Sequence, residues 1–266
     1  MAVPELLHGI DFTCAPSRRK PIVVASGRAV AGGVALDSLE ELTTLAAFEA
    51  WLARPGPWLG GFDLPFGLPR AFVDAHGLGA TVAEVIAGVR ARCATRMDWR
   101  AFVDAWGNTQ PPGRRLLHRL TDTASPAAST SPLQTRYVPV GFMWFEGLAR
   151  LVDSGVTLAG LRAGDPGRIA VEAYPRRLAH SLVARTSYKN RDDGARSLAR
   201  ATMLSALESG GELATVAHGL RRDMLADASG DRLDAVLCLV QAARASRLPG
   251  FGVPADVDPV EGWIAG

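Results

Sequence analysis

A mixed α/β fold follows from three observations on this 266-residue chain. The first third carries β-branched and apolar runs punctuated by glycine, the middle repeats apolar residues at helical spacing, and the last third holds one strand pattern followed by helical ones. Leu6 to Thr13 is a short apolar run that ends in Asp11-Phe12-Thr13. Ile22 to Ala25 is β-branched, and Val34-Ala35-Leu36 follows after Gly27 and the Gly32-Gly33 pair. These three strands form a meander. Leu45, Phe48, Glu49 and Leu52 mark a short helix closed by Pro55-Gly56-Pro57, and Trp58 to Asp63 is a buried fourth strand stopped by Pro65.

From Arg70 to about Gly164 the chain is mainly helical, with Val82, Val85, Ile86 and Val89 on one stripe and Trp99, Phe102, Val103 and Trp106 on another. Between Gln110 and Pro139 the sequence turns rich in Pro, Ser and Thr, which predicts a long mobile loop that orders on binding. Arg168 to Ala173 is a fifth strand running into a helix at Tyr174-Pro175. Asp192-Asp193 caps a helix that ends near Gly210-Gly211. In the last helix, Asp231 to Ala245, the residues Leu233, Val236, Leu237 and Val240 form an apolar face, with Asp231, Asp234, Cys238 and Gln241 on the stripe beside it. The expectation is a single domain over residues 1–266, with a five-stranded mixed sheet, flanking helices and a helical insertion at about 70–164.

Composition narrows the function classes. Cys14, Cys93 and Cys238 are far apart and form no C-x-x-C pair, which argues against a disulfide scaffold or a zinc ribbon and for a reducing, cytoplasmic setting. The start of the chain has no basic stretch before a long apolar core, and no apolar run approaches the about 18 residues of a membrane span. No membrane partner is expected. Basic and acidic residues number 29 and 27, a net charge of +2, so nucleic acid would have to be held by a local groove rather than by a global field. Only Lys20 and Lys189 are lysines.

Phosphate-loop, dinucleotide, zincin and nucleophile-elbow signatures are absent, and the five histidines show no ligand spacing. What remains is carboxylates in costly places: Asp11 in an apolar strand, Asp63 at the end of another, Glu172 in a third, and Asp234 beside the apolar face of the last helix. A buried charge costs several kcal/mol unless it is paired or bound to metal. Each has a bland role open to it. Asp11 and Asp63 can cap loops, Glu172 can pair with Arg176 or Arg177, and Asp231 can be an N-cap with Asp234 in the first turn. Together they suggest more, because parallel strands end at one sheet edge, the usual ligand crevice of an open α/β fold. Oxygen donors without His or Cys suit Mg²⁺ or Mn²⁺. Lys189 is a candidate phosphate contact, and Arg18, Arg19 and Lys20 form a basic loop after Asp11 suited to a nucleic-acid backbone or simply to solvent.

The strings Gly9-Ile10-Asp11-Phe12, Phe62-Asp63-Leu64-Pro65-Phe66-Gly67-Leu68-Pro69, Val171-Glu172-Ala173-Tyr174-Pro175, Tyr188-Lys189 and Asp231-Arg232-Leu233-Asp234-Ala235 resemble the domain-of-unknown-function 429 family, a group of predicted RNase H-like nucleases. The resemblance spans nearly the whole chain. It implies an RNase H-like fold with Asp11, Asp63, Glu172 and Asp234 lining the catalytic site, Asp231 as an extra metal ligand, and Mg²⁺- or Mn²⁺-dependent cleavage of DNA or RNA, on a structured or short substrate. Two rivals stand beside this reading. A phosphotransferase of the same superfold would usually duplicate the domain and carry glycine-rich phosphate turns, and a non-catalytic module would keep the sheet and use the Pro/Ser/Thr loop to grip nucleic acid or protein.

Overall fold

In the computed structural model, which describes residues 4–124 and 128–265, the meander consists of β1 (Leu6–Asp11), β2 (Ile22–Val30) and β3 (Gly33–Leu42). Helix α1 (Leu45–Leu52) starts at Thr44, whose hydroxyl accepts the Ala47 N–H at 3.0 Å, and leads into β4 (Trp58–Phe62). The insertion contains α2 (Arg70–Ala75), α3 (Val82–Arg90), α4 (Arg96–Thr109), α5 (Leu120–Thr123), α6 (Val140–Met143), a π-helical turn over Trp144–Leu148 and α7 (Ala149–Asp153). Thr81 with Glu84 and Thr95 with Asp98 form capping boxes at the starts of α3 and α4. Then follow β5 (Val156–Leu158), β6 (Asp165–Glu172), α8 (Pro175–Val183), α9 (Gly194–Ser209) behind its N-cap Asp193, β7 (Leu213–Val216), α10 (Leu220–Ala226) and α11 (Asp231–Ala245).

The sheet has seven strands in the order β5-β6-β4-β1-β2-β3-β7, not the expected five. The five expected strands are its central block: β1, β2 and β3 pair antiparallel, and β4 and β6 run parallel to β1. The two additions, β5 and β7, are outer strands of three and four residues, too short for alternation to register as a sequence pattern. β5 also lies within the stretch expected to be helical up to Gly164.

Alternation divides the apolar side chains between two layers. Ile10, Ile22, Val24, Trp58, Phe62 and Ala170 face α1 and the insertion, where Phe48, Trp51, Phe72 and Trp99 cover them. Leu7, Val23, Ala25, Leu59, Ile169 and Val171 face the helices α8, α9 and α11. The last helix departs from its expected amphipathic pattern, because nearly every residue of α11 is buried, not one stripe. It lies against β1, β2 and β4 and beneath α8.

Two glycines let it lie so close. Gly9 and Gly61 are direct partners across β1 and β4. A Cβ on Gly9 would stand 2.1 Å from both the Ala235 carbonyl oxygen and the Leu239 nitrogen, and one on Gly61 would stand 2.6 Å from the Cys238 carbonyl oxygen. The notch seats the backbone of α11 on the sheet and brings its N-terminus to the C-terminal ends of β1 and β4.

The Pro/Ser/Thr stretch from Gln110 to Pro139 also departs from expectation, although residues 125–127 lie outside the described segments. Arg119, Thr121, Asp122, Ser131, Leu133 and Thr135 are all buried, so much of it is a packed part of the fold. Among the described residues no helix is long and apolar enough to cross a membrane.

Candidate functional site

Asp11 and Asp63 each follow one of the paired glycines by two residues, so the period of a strand turns both side chains toward α11. The Asp63 N–H donates to the Ile10 carbonyl at 2.9 Å, which extends the parallel pairing and holds the two aspartates side by side. From the helix, Asp231 and Asp234 lie in the first turn of α11, three residues apart and on one face. The N-cap is Gly230 in the left-handed region (φ 80°), not Asp231, so Asp231 is free to present its carboxylate to the crevice. Acidic groups suit this helix end, where unpaired N–H groups carry partial positive charge.

Two lysines reach the same cluster. The Asp234 carboxylate, fully buried, accepts the Tyr188 hydroxyl and the Lys189 ammonium, each at 2.5 Å. Lys20, from the loop between β1 and β2, stands 3.5 Å from Asp231. The backbone beneath Tyr188 and Lys189 is anchored by α9: buried Arg200 donates to the Tyr188 carbonyl at 2.9 Å, and Arg196 donates to the Lys189 carbonyl at 3.2 Å. Arg18 and Arg19 are exposed in the loop that follows Asp11. Tyr174 closes the side toward the insertion, its hydroxyl donating to the Ala128 carbonyl at 3.4 Å and pushed up to about 12 chiefly by burial.

The electrostatics show four acids in one small space. Burial, then repulsion from Asp234, Asp231 and Asp63, raises Asp11 well above the usual carboxylate range, against the pull of Lys189. Asp63 is pushed up to about 7, first by burial and then by Asp234. Among the described residues no hydrogen bond offsets either shift.

Glu172 ends β6 at the same sheet edge but faces the other way. It shares its phase with Ala170, on the insertion side, and both of its oxygens are taken: the Arg119 guanidinium donates at 2.6 and 2.8 Å, and the Phe66 N–H donates at 2.8 Å. Its partner is neither Arg176 nor Arg177. Arg119 also binds Asp122 at 2.8 Å, and all three side chains are buried. Burial raises Glu172 against the counter-pull of Arg119. The structure therefore gathers Asp11, Asp63, Asp231, Asp234, Lys189 and Lys20, and pairs Glu172 with Arg119 on the opposite face of the sheet, near enough that its charge still helps to raise Asp63. Arg119, Asp122, Tyr188 and Arg200 had no assigned role in the sequence. Tyr188 stood in one of the strings that carry the family resemblance, and Arg200 had a signal as a charge in register with buried Met203, Leu204 and Leu207.

Among the described residues no three His, Cys, Asp or Glu side chains already stand in a metal-holding group. Asp234 is committed to Tyr188 and Lys189, and Glu172 to Arg119. Asp11 and Asp63 remain, two oxygen donors side by side with no hydrogen-bond partner for their carboxylates among the described residues, and that donor chemistry fits a hard divalent cation.

Crowding of this kind carries a pH signature. Asp63 titrates near 7 when folded, against roughly 3.9 unfolded, so between those values the folded chain holds the extra proton and stability falls as pH rises from about 4 to about 7. His8 acts oppositely: burial lowers it to about 4, so its contribution rises with pH from about 4 to about 6.5. In metal-free urea titrations, Asp63→Asn should therefore gain stability relative to wild type as pH goes from 5 to 8. A gap that stays constant across that range would mean the four acids do not repel as their positions imply.

A family model described as "Protein of unknown function (DUF429)" matches residues 9–257, nearly the whole chain. No curated protein matches, and no solved structure matches.

Proposed function

We propose that this chain, which belongs to the DUF429 family, is a divalent-metal-dependent hydrolase of phosphodiester bonds in DNA or RNA, built on an RNase H-like sheet. The observation that carries this is the pair Asp11 and Asp63, neighbours at the ends of parallel strands, Asp11 buried and Asp63 half-buried, each raised by desolvation and by nearby carboxylates despite the pull of Lys189. The central strand block β3-β2-β1-β4-β6, with its antiparallel meander and two added parallel strands, supports the RNase H-like reading. Asp11 and Asp63 would hold Mg²⁺ or Mn²⁺, with Asp231 and Asp234 as further oxygen donors of the same cluster. A cation held there supplies Lewis-acid stabilisation of the charge that develops on the phosphoryl oxygens.

The chain's own residues do the rest. Lys189, and Arg18, Arg19 and Lys20 on the rim, offer positive charge to the phosphate backbone, and Tyr174 narrows the approach from the insertion side. The acidic floor by itself repels a polyanion, so binding depends on these cations and on the metal. Glu172 stays outside the ligand set, holding the insertion to the sheet through Arg119.

The test is a panel of single- and double-stranded DNA and RNA substrates with Mg²⁺ or Mn²⁺, comparing wild type with Asp63→Asn. Cleavage by wild type should fall at least about a hundredfold in the variant. Saturating metal, at a hundredfold over its dissociation constant, should stabilise wild type by about 2.7 kcal/mol, and this gain should shrink in Asp63→Asn while its metal-free stability is kept or improved. A variant that is destabilised and indifferent to metal, beside a wild type equally indifferent, would make Asp63 a structural cap and end the hydrolase reading.

A further inference from the structure

We propose that Lys189 is a built-in counter-cation that occupies the carboxylate cluster until a divalent metal ion displaces it, so that metal loading releases its ammonium group to the substrate phosphate. The inference rests on the metal-dependent reading above and concerns the regulation of that site.

Charge and geometry carry it. Asp11, Asp63, Asp231 and Asp234 converge on one space, and the cations that face them are Lys189 and Lys20, the only two lysines among 29 basic residues. A divalent ion brings the same charge as the two ammonium groups together. It would compete most directly with Lys189, whose Nζ lies 2.5 Å from the Asp234 oxygen and which also feels Asp11 and Asp63.

The residue type fits such an exchange. An arginine would grip a carboxylate with a planar fork, whereas lysine is a point charge on a flexible stem that can leave without disturbing its neighbours. The stem has room to move. Lys189 keeps 39 % side-chain exposure while Asp234 keeps none, so the ammonium reaches both the buried acid and solvent. The backbone stays put, fixed by Arg196 and Arg200 on the carbonyls of Lys189 and Tyr188. Gly230 makes the fit possible on the other side, since a Cβ there would stand 2.7 Å from the Lys189 Cβ.

The experiment uses the full chain and its two lysine side chains. Limited acylation with an N-hydroxysuccinimide acetate, mapped by mass spectrometry with and without saturating Mg²⁺, reads Lys189 directly, with Lys20 as the internal comparator. Mg²⁺ should raise Lys189 acylation at least fivefold; unchanged or slower acylation overturns the exchange. Calorimetric Mg²⁺ titration supplies the second arm. Lys189→Met should bind at least tenfold tighter than wild type and Lys20→Met less than threefold tighter, and equal effects would reduce Lys189 to a general field contribution and overturn the proposal. Mg²⁺ binding with unaltered Lys189 acylation defeats the exchange alone. Absence of Mg²⁺ binding in wild type and in Lys189→Met defeats the exchange together with the metal reading it rests on.

Discussion

Gly9→Ala should destabilise the protein by more than about 3 kcal/mol, the upper end of what overpacking costs. The added methyl would stand 2.1 Å from the Ala235 carbonyl oxygen and from the Leu239 nitrogen. Both are backbone atoms of α11, so neither can rotate away as a side chain would. The helix must lift from β1, and with it go the contacts that buried Leu233, Val236 and Val240 make on that face of the sheet. The site feels the same displacement, because Asp231 and Asp234 ride on the first turn of α11 while Asp11 stays on the strand. Gly32→Ala is the control: at φ 82° with open space around it, it meets only the backbone cost of the left-handed region, about 1 kcal/mol. Urea unfolding of the two variants, followed by Mg²⁺ titration of whichever remains folded, measures both effects. Equal costs at the two glycines would mean that α11 is not seated on the Gly9–Gly61 notch.

Asp11, Asp63, Asp231 and Asp234 were legible in the sequence because each is a charge within or beside an apolar run, where its burial cost makes it conspicuous. That Asp11 and Asp63 would end at one edge was legible once their strands were taken as parallel, whereas Asp231 and Asp234 were set beside them only by the family resemblance. The notch that brings them together was not legible. Gly9 and Gly61 look like ordinary strand glycines until the register makes them partners. Glu172 shows the complementary gap. Sequence placed it at the right sheet edge, but which face a strand residue takes depends on which of its neighbours pack where, and β6 is apolar on both sides through Ile169, Ala170 and Val171. With no alternation between polar and apolar residues, its phase carries no signal. Arg119 was hidden for another reason, since it sits in a polar stretch without periodicity, where an arginine is usually solvated. The edge strand β7 escaped through shortness, and β5 through shortness and its place in a stretch expected to be helical.

The placement of Glu172 sets up the second large effect. Arg119→Met should cost about 3 to 5 kcal/mol, because it leaves Glu172 and Asp122 buried with no counter-charge. More than one ion pair is lost. Arg119 also donates to the Glu261 carbonyl at 2.9 Å, beside the Leu120 N–H on the Glu261 carboxylate and the Ile264 N–H on the Thr121 hydroxyl, so the guanidinium ties together the insertion, the end of β6 and the C-terminal segment. Adding Glu172→Gln to Arg119→Met should recover part of the loss, since the amide removes one uncompensated charge. The single variant Glu172→Gln then distinguishes clasp from ligand. As a clasp, it gives up charge-assisted hydrogen bonds worth roughly 1.5 to 3 kcal/mol, and the metal-free protein should weaken by that order while the Mg²⁺-induced gain in melting temperature survives. As a metal ligand, Glu172 would behave like Asp63, with metal-free stability retained and the Mg²⁺ gain lost. The two carboxylates lie at one sheet edge on opposite faces, and thermal melts of Glu172→Gln and Asp63→Asn with EDTA and with Mg²⁺ should give opposite patterns. Matching patterns would place Glu172 in the cation site and require Arg119 to release it.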